Sequence, residues 1–189
     1  MLIPLRLSAQ TDEQLMQRSA RGSDRAFEEL YSRHARRLQG FFVRRLGSDA
    51  DLAADLMHDT FLRLYAAREK YREGNCFRAW LYTIAYNLLK NHHRRNLMVE
   101  SSPTIMESEI ADDSNIEIDM DATILRNALR HALSRLPEPY AMLFSLHYEE
   151  ELTIPQIAQI TQLPEGTVKS RLHKAMTIIK TMIKQYENY

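Results

Sequence analysis

Two stretches of the chain carry side chains that do chemistry at a surface. In FRAWLYTIAYNLLKNHHRR, residues 77–95, aromatic and basic residues interleave. At about 100° per residue, Phe77, Trp80, Leu81, Ile84 and Leu88 share one side of a helix and are expected in a core. Tyr82, Tyr86, Lys90 and His93 fall opposite, with Thr83 and Arg94 at the edge, and are expected to face solvent. Rings set among cations suit an unpaired nucleic acid, because rings stack on bases while Lys and Arg follow phosphates. The plainer reading is an amphipathic surface whose tyrosines cover a neighbouring loop. In the second stretch, GTVKSRLHKAMTIIKTMIK at residues 166–184, Val168, Leu172, Ala175, Met176 and Ile179 share an inward face. Thr167, Ser170, Arg171, His173, Lys174 and Thr177 are left outward, and all are donors to phosphates or base edges.

Other chemistries fail on geometry. His92 and His93 are helical neighbours pointing about 100° apart, and Cys76 lies roughly 24 Å away along a helix, so they do not converge on an ion. The pair His58-Asp59 fails for the same reason. Gly-rich phosphate loops, nucleophile elbows and zinc-protease patterns are not found. One cysteine, Cys76, excludes an intramolecular disulfide and a thiolate-rich zinc site. The expectation is a protein with no catalytic residues, no metal, no cofactor and no small-molecule substrate.

The elements that must hold these side chains read as helices. Residues 11–21, 24–46, 49–69 and 77–95 carry helical periodicity, broken at Gly22-Ser23, Gly47-Ser48 and Arg72-Glu73-Gly74-Asn75. Ser23 and Ser48 stand where N-caps belong. Later come a helix from about Ile124 to Leu136, a second in PEPYAMLFSLHYEEE, and then LTIPQIAQI, the turn TQLP and the long basic helix. Thr153 and Gln156 form a capping box, with Pro155 in the first turn. A two-turn helix, a tight turn and a longer helix make a helix-turn-helix, whose second helix enters the DNA major groove. Five Gly and six Pro in 189 residues leave little turn material for a many-stranded fold. The expected fold class is therefore all-α.

The formal net charge is zero, with 25 basic and 25 acidic side chains, but the charge is not spread evenly. Residues 1–96 hold 17 basic and 11 acidic groups; residues 97–124 hold no basic and 8 acidic groups; residues 125–189 hold 8 basic and 6 acidic groups. The middle piece has too few apolar residues to bury a core and reads as a flexible acidic linker, up to about 90 Å long when extended. Two small basic helical domains, residues 1–96 and 125–189, are expected on an acidic tether, residues 97–124. The opening MLIPLRL is too short and too soon interrupted for a signal peptide, and no run approaches a membrane span. The cytoplasm is the expected location.

The chain resembles the extracytoplasmic-function group of bacterial RNA polymerase sigma factors. The resemblance rests on AFEELYSRH (26–34), DLMHDTFLRLY (55–65), FRAWLYTIAYNLLKNHHRR (77–95), the Leu136-Pro137 opening of the second module and GTVKSRLHKA (166–175), in the family's order. It implies a factor that binds core RNA polymerase, through its β′ and β subunits, and directs promoter-specific initiation. By resemblance Asp55, His58, Asp59 and Arg63 are candidate polymerase contacts on the β′ coiled coil. Arg72, Asn75, Arg78, Tyr82, Tyr86, Asn87, Lys90 and Arg94 would read the −10 element as a single strand with a flipped base. Thr167, Lys169, Ser170, Arg171, His173 and Lys174 would read the −35 element as duplex. An anti-sigma factor clamping both domains is a further implied partner.

Two positions depart from the family pattern: Met57-His58 stands where Gln is usual, and Gln162 where the turn usually has Gly. The second implies a turn held at some cost in strain. A different class of protein, a free-standing helix-turn-helix regulator whose first module senses a ligand or dimerises, would footprint DNA without polymerase. The resemblance also sends the linker through the polymerase's active-site and RNA-exit channels, where carboxylates would hold basic sites until the transcript displaces them. Neutralising Asp112, Asp113, Glu117 and Asp119 is then expected to change the ladder of abortive products or the rate of promoter escape in transcription with core polymerase. An unchanged ladder removes the linker from that role.

Overall fold

The computed structural model describes residues 7–47, 49–99 and 120–187, so most of the expected linker lies outside the described residues. The chain divides into two compact units, Met1–Glu107 and Ser108–Tyr189. Among the described residues every regular element is helical, which is the all-α fold class read from the sequence.

The first unit holds α1 (Asp12–Ala20), α2 (Asp24–Arg45), α3 (Ala50–Ala66) and α4 (Phe77–Val99), with 3-10 turns at Leu7–Ala9 and Arg68–Lys70. Capping sets the starts. Thr11 opens α1 with a reciprocal capping box to Gln14, and the Ser23 hydroxyl accepts from the Ala26 N–H. At α3 the cap is Asp49, whose Oδ1 accepts from the Leu52 N–H at 3.0 Å; the expected Ser48 lies outside the described residues. Helical spacing then lays down the core. Ala26, Leu30, Leu38, Phe41 and Phe42 line one side of α2, and Ala53, Met57, Phe61 and Leu64 one side of α3, each fully or almost fully buried. Each leucine, phenylalanine or methionine among them contributes about 1.5–3 kcal/mol when taken from water, which offsets the cost of ordering the chain.

The acidic first turn of α1 ties three helices together. Asp12 accepts from Arg33 Nη1 at 3.0 Å and lies 2.7 Å from His34 Nε2, both on α2. Glu13 Oε1 accepts from the Phe77 N–H at 3.3 Å and so caps α4. Arg33 completes the clamp by donating to the carbonyls of Leu7, Ser8 and Gln10 and to Glu29.

In the second unit, α5 (Met120–Ser134) and α6 (Glu138–Phe144) precede a π-helical turn, Ser145–Glu149; α7 (Ile154–Thr161) and α8 (Glu165–Glu187) follow. Both inner helices extend into the segment read as linker, α4 to Val99 and α5 from Met120. Ala132, Leu136, Ala141, Ala175 and Ile179 form one buried cluster, and Val168 and Leu172 continue the α8 face toward Ile157 and Ile160 of α7. The Thr153 N–H donates to Gln156 Oε1 at 2.8 Å, as the capping pattern required. Gln162 ends α7 in the left-handed region at φ +59°, and its side-chain amide donates to the Gln159 carbonyl at 2.7 Å. That bond partly offsets the strain of a side chain at positive φ.

Hydrogen bonding to His34, with the Arg33 guanidinium beside it, holds the Asp12 carboxyl below its ordinary range despite partial burial. A carboxyl lowered in the folded state stabilises fully above its unfolded value, near pH ~4, and the gain is lost as pH falls through the lowered folded value. Asp12→Asn is expected to cost about 2 kcal/mol at pH 7 in urea unfolding, with the gap to wild type closing below about pH 4.

Candidate functional site

Three surfaces collect the residues singled out by the sequence. On α3 the buried side (Ala53, Met57, Thr60, Phe61, Leu64) leaves Asp51, Asp55, His58 and Leu62 along the opposite stripe. Tyr65 sets the roll of this helix by donating to Asp24 Oδ1 at 2.7 Å and packing edge-on to Phe27 at 5.0 Å. Asp55 and His58 are exposed, and Asp59 accepts from Arg63 Nε at 3.1 Å one turn on. His58 Nε2 lies 3.0 Å from the Tyr31 hydroxyl, with the rings parallel. Met57 is core, so of the two departures in Met57-His58 only the imidazole reaches the surface. Sequence reasoning missed Leu62, which is 68% exposed at the end of this charged stripe, beside Arg63 and one turn after His58 and Asp59. A large apolar residue that the helical pattern puts among Asp55, His58 and Asp59 was the available signal.

The α4 helix is rolled differently from the expected faces. Tyr82 is 2% exposed, its ring edge-on to Phe41 at 5.4 Å, and Ala85 and Leu89 continue the same buried stripe. The expectation that Tyr82 faces solvent is therefore corrected: α4 is covered by α2 and α3 over a wider arc than a simple two-faced helix, and that arc takes in the tyrosine. Trp80, expected in the core, is half-buried instead and lies on the other side, stacked on Tyr71 with centroids 5.5 Å apart. Asn87, Lys90, Asn91 and Arg94 are exposed, and with Trp80 and the half-buried Thr83 they recur every three or four residues as one strip. Tyr86 and Arg78 are half-buried at its margin.

The loop before α4 completes this surface. Arg72, Glu73, Gly74 and Asn75 are exposed, and Gly74 turns at φ +86°. Tyr71 anchors the loop by donating to the Asn75 carbonyl at 2.5 Å; burial, with Glu13 nearby, pushes its hydroxyl up to about 12. Burial, reinforced by Arg45, lowers the His93 imidazole, and burial with His93 beside it lowers His92. Lys90 and Arg94 are the exposed Lys and Arg side chains of the strip. His92 and His93 stand edge-on with centroids 6.0 Å apart, and no group among the described residues is arranged to hold a metal ion. No described helix is long and apolar enough to cross a membrane.

On α8 the observed and expected faces agree. Val168, Leu172, Ala175 and Ile179 are buried and Met176 is half-buried, while Lys169, Ser170, His173, Lys174 and Thr177 are exposed and Thr167 and Arg171 half-buried. Ser170 Oγ donates to the Thr167 carbonyl at 3.1 Å, leaving its oxygen as an acceptor. Lys174 Nζ stands 5.8 Å above the Tyr140 ring.

Both units match families of known proteins. Residues 30–97 match the family described as Sigma-70 region 2 and residues 126–179 that described as Sigma-70, region 4. The RNA polymerase sigma-H factor of Pseudomonas aeruginosa is 31% identical over 182 residues, covering 92% of this chain and 94% of the relative. The ECF RNA polymerase sigma factor SigW of Bacillus subtilis is 27% identical over 173 residues, covering 87% of this chain and 92% of that one. The chain belongs to the extracytoplasmic-function sigma factors. A sigma factor is a non-catalytic factor of promoter-specific transcription initiation, and the reading as a free-standing regulator falls away. Its fold is also that of two solved structures. One is RpoE from Bartonella quintana in complex with the anti-sigma factor NepR, at TM-score 0.68 and 22% identity, covering 84% of this chain and 96% of that one. The other is CnrH in complex with the cytosolic domain of CnrY, at TM-score 0.63 and 21% identity, covering 92% and 97%.

Burial divides the aromatic residues of this sigma factor into structural and surface groups. Tyr82→Ala is expected to cost about 3–5 kcal/mol of stability by emptying the space beside Phe41. Asn87→Ala and Lys90→Ala are expected to stay within about 0.5 kcal/mol. Urea unfolding followed by circular dichroism reads all three, and a Tyr82→Ala protein as stable as wild type contradicts the burial.

Proposed function

We propose that each of the three surfaces meets a different part of the transcription machinery. The α3 stripe docks on core RNA polymerase, with Leu62 as its apolar anchor and Asp55, His58, Asp59 and Arg63 as its polar neighbours. An exposed leucine beside charged groups is how interfaces concentrate binding energy, because the neighbouring polar contacts exclude water from it. The α4 strip and the loop at residues 71–76 receive the non-template strand of the −10 element. Trp80 with Tyr71 forms the stacking platform, Arg72 and Asn75 line the loop, and Asn87, Lys90 and Arg94 follow the backbone. Tyr86 and Arg78 border that path; Tyr82 supports it from beneath. The observation that carries this reading is the roll of α4, which gathers Trp80, Thr83, Asn87, Lys90 and Arg94 on one solvent-facing strip.

Thr167, Lys169, Ser170, Arg171, His173 and Lys174 on α8 read the −35 duplex, supported by the agreement between their exposure and the major-groove role of a second helix-turn-helix helix. Few cations serve each surface, so affinity for DNA without polymerase is low. An anti-sigma factor is a fitting partner, since the similar RpoE is described in complex with one. The work is done in the cytoplasm, where core polymerase is found.

Separation of the surfaces is the test. Leu62→Asp is expected to weaken binding to core polymerase at least tenfold with unchanged unfolding. Trp80→Ala is expected to keep core binding and lose opening of the −10 region, read as permanganate reactivity of unpaired thymines in the holoenzyme–promoter complex. If both variants initiate transcription as wild type does, the assignment of α3 and α4 fails.

A further inference from the structure

The second unit has a groove of about 380 Å³ between the π-helical turn and α8. Lys169, His173 and Lys180 line it from α8, His147 and Tyr148 from the turn, and Ile154 from the start of α7. Tyr148 is 49% exposed, an unusual state for a ring, and packs on Phe144 at 4.7 Å.

Position decides what passes here. An α-helix with its side chains is about 10–12 Å across and fills a major groove about 12 Å wide. Residues flanking the base-reading strip therefore meet the phosphate backbones. Lys169, His173 and Lys180 are spaced along one such flank of α8, and the opposite wall is His147. A strand following this flank of α8 would pass along this groove. Its sugars suit Ile154 and Tyr148, and its phosphates suit the three α8 groups.

His147 adds a condition. Its Nδ1 lies 2.9 Å from the carbonyl oxygen of Leu152. A carbonyl only accepts, so Nδ1 carries the proton and the neutral ring has a bare lone pair at Nε2. A lone pair repels an anionic oxygen, whereas the imidazolium presents an N–H to it. We infer that the groove seats one backbone phosphate of the −35 duplex and that His147 grips it only as the imidazolium. The inference rests on α8 reading the −35 element, and makes that recognition tighten as pH falls. Lys169 and Lys180 are the basic side chains that line the α8 side of the groove. Among the described groove residues His173 is the other imidazole, and Glu149 is engaged by the Ser145 hydroxyl.

The test uses holoenzyme assembled from the full chain and core polymerase, with His173→Gln as background to remove the second imidazole. Affinity for a promoter duplex carrying the −35 element is measured from pH 6 to pH 8. The background protein is expected to bind about tenfold tighter at the acid end. His147→Gln, which keeps an N–H for Leu152 but does not titrate, should bind weakly with a flat profile and lower the salt slope by about one. His147→Arg should bind tightly with a flat profile. A His147→Gln protein that keeps the background's pH dependence overturns the inference. So does a His147 effect that appears in binding to core polymerase alone, which would assign the groove to an acidic protein segment. If deleting the −35 element changes no affinity, the reading of α8 itself fails; −35 dependence that persists with indifferent His147 variants sinks the phosphate site alone.

Discussion

The packing of Tyr82 against Phe41 sets the rotation of α4 about its own axis, and with it what the first unit shows to solvent. Helical geometry leaves no freedom once one residue is fixed: with Tyr82, Ala85 and Leu89 inward, Trp80, Thr83, Asn87, Lys90 and Arg94 must point out. The start of the helix is pinned independently. Glu13 caps Phe77 from α1, and α1 is held to α2 through Asp12, Arg33 and His34. The strip's height and direction are thus determined by buried and partly buried contacts far from any ligand. Of the strip, Asn87, Lys90 and Arg94 are exposed, while Trp80 stacks on Tyr71.

In the second unit the equivalent constraint is the tight path from α6 to α8. A π-helical turn shifts the chain, Glu151 takes φ +54°, and Gln162 takes φ +59°. Each is an uncommon state for a residue with a side chain, and each is held by neighbours: the Leu152 N–H returns to the Leu146 carbonyl, and Gln162 bonds back to Gln159. These turns aim α8 outward along its exposed face while Val168, Leu172, Ala175 and Ile179 stay in the core. They also bring His147 to the edge of the same helix, in a groove that neither element makes alone.

Zero net charge hides an arrangement suited to provisional binding. Two modules with modest positive excess flank a segment with 8 acidic groups and no basic one. Modest excess limits non-specific attachment to DNA, because affinity from phosphate contacts grows with the number of counterions released.

Local chemistry was legible from the residues. Helix extents, the Thr153–Gln156 box, the exposed face of α8 and the family itself follow from patterns spanning a few residues, since capping, turn formation and helical spacing are short-range effects. The N-cap of α3 moved by one residue, to Asp49, because two neighbouring side chains were both competent to cap and the helix used the later one. What only the tertiary structure decided was burial of residues that are equally at home on either side. Tyrosine and tryptophan each have an apolar body and a polar tip, so helical spacing ranked Trp80 inside and Tyr82 outside, and the converging helices α2 and α3 reversed them. Leu62 belongs with the core by composition, and lies in solvent because Phe61 and Leu64 already fill the α2–α3 contact. The groove at His147 depends on residues more than twenty positions apart in sequence, and no local rule relates them.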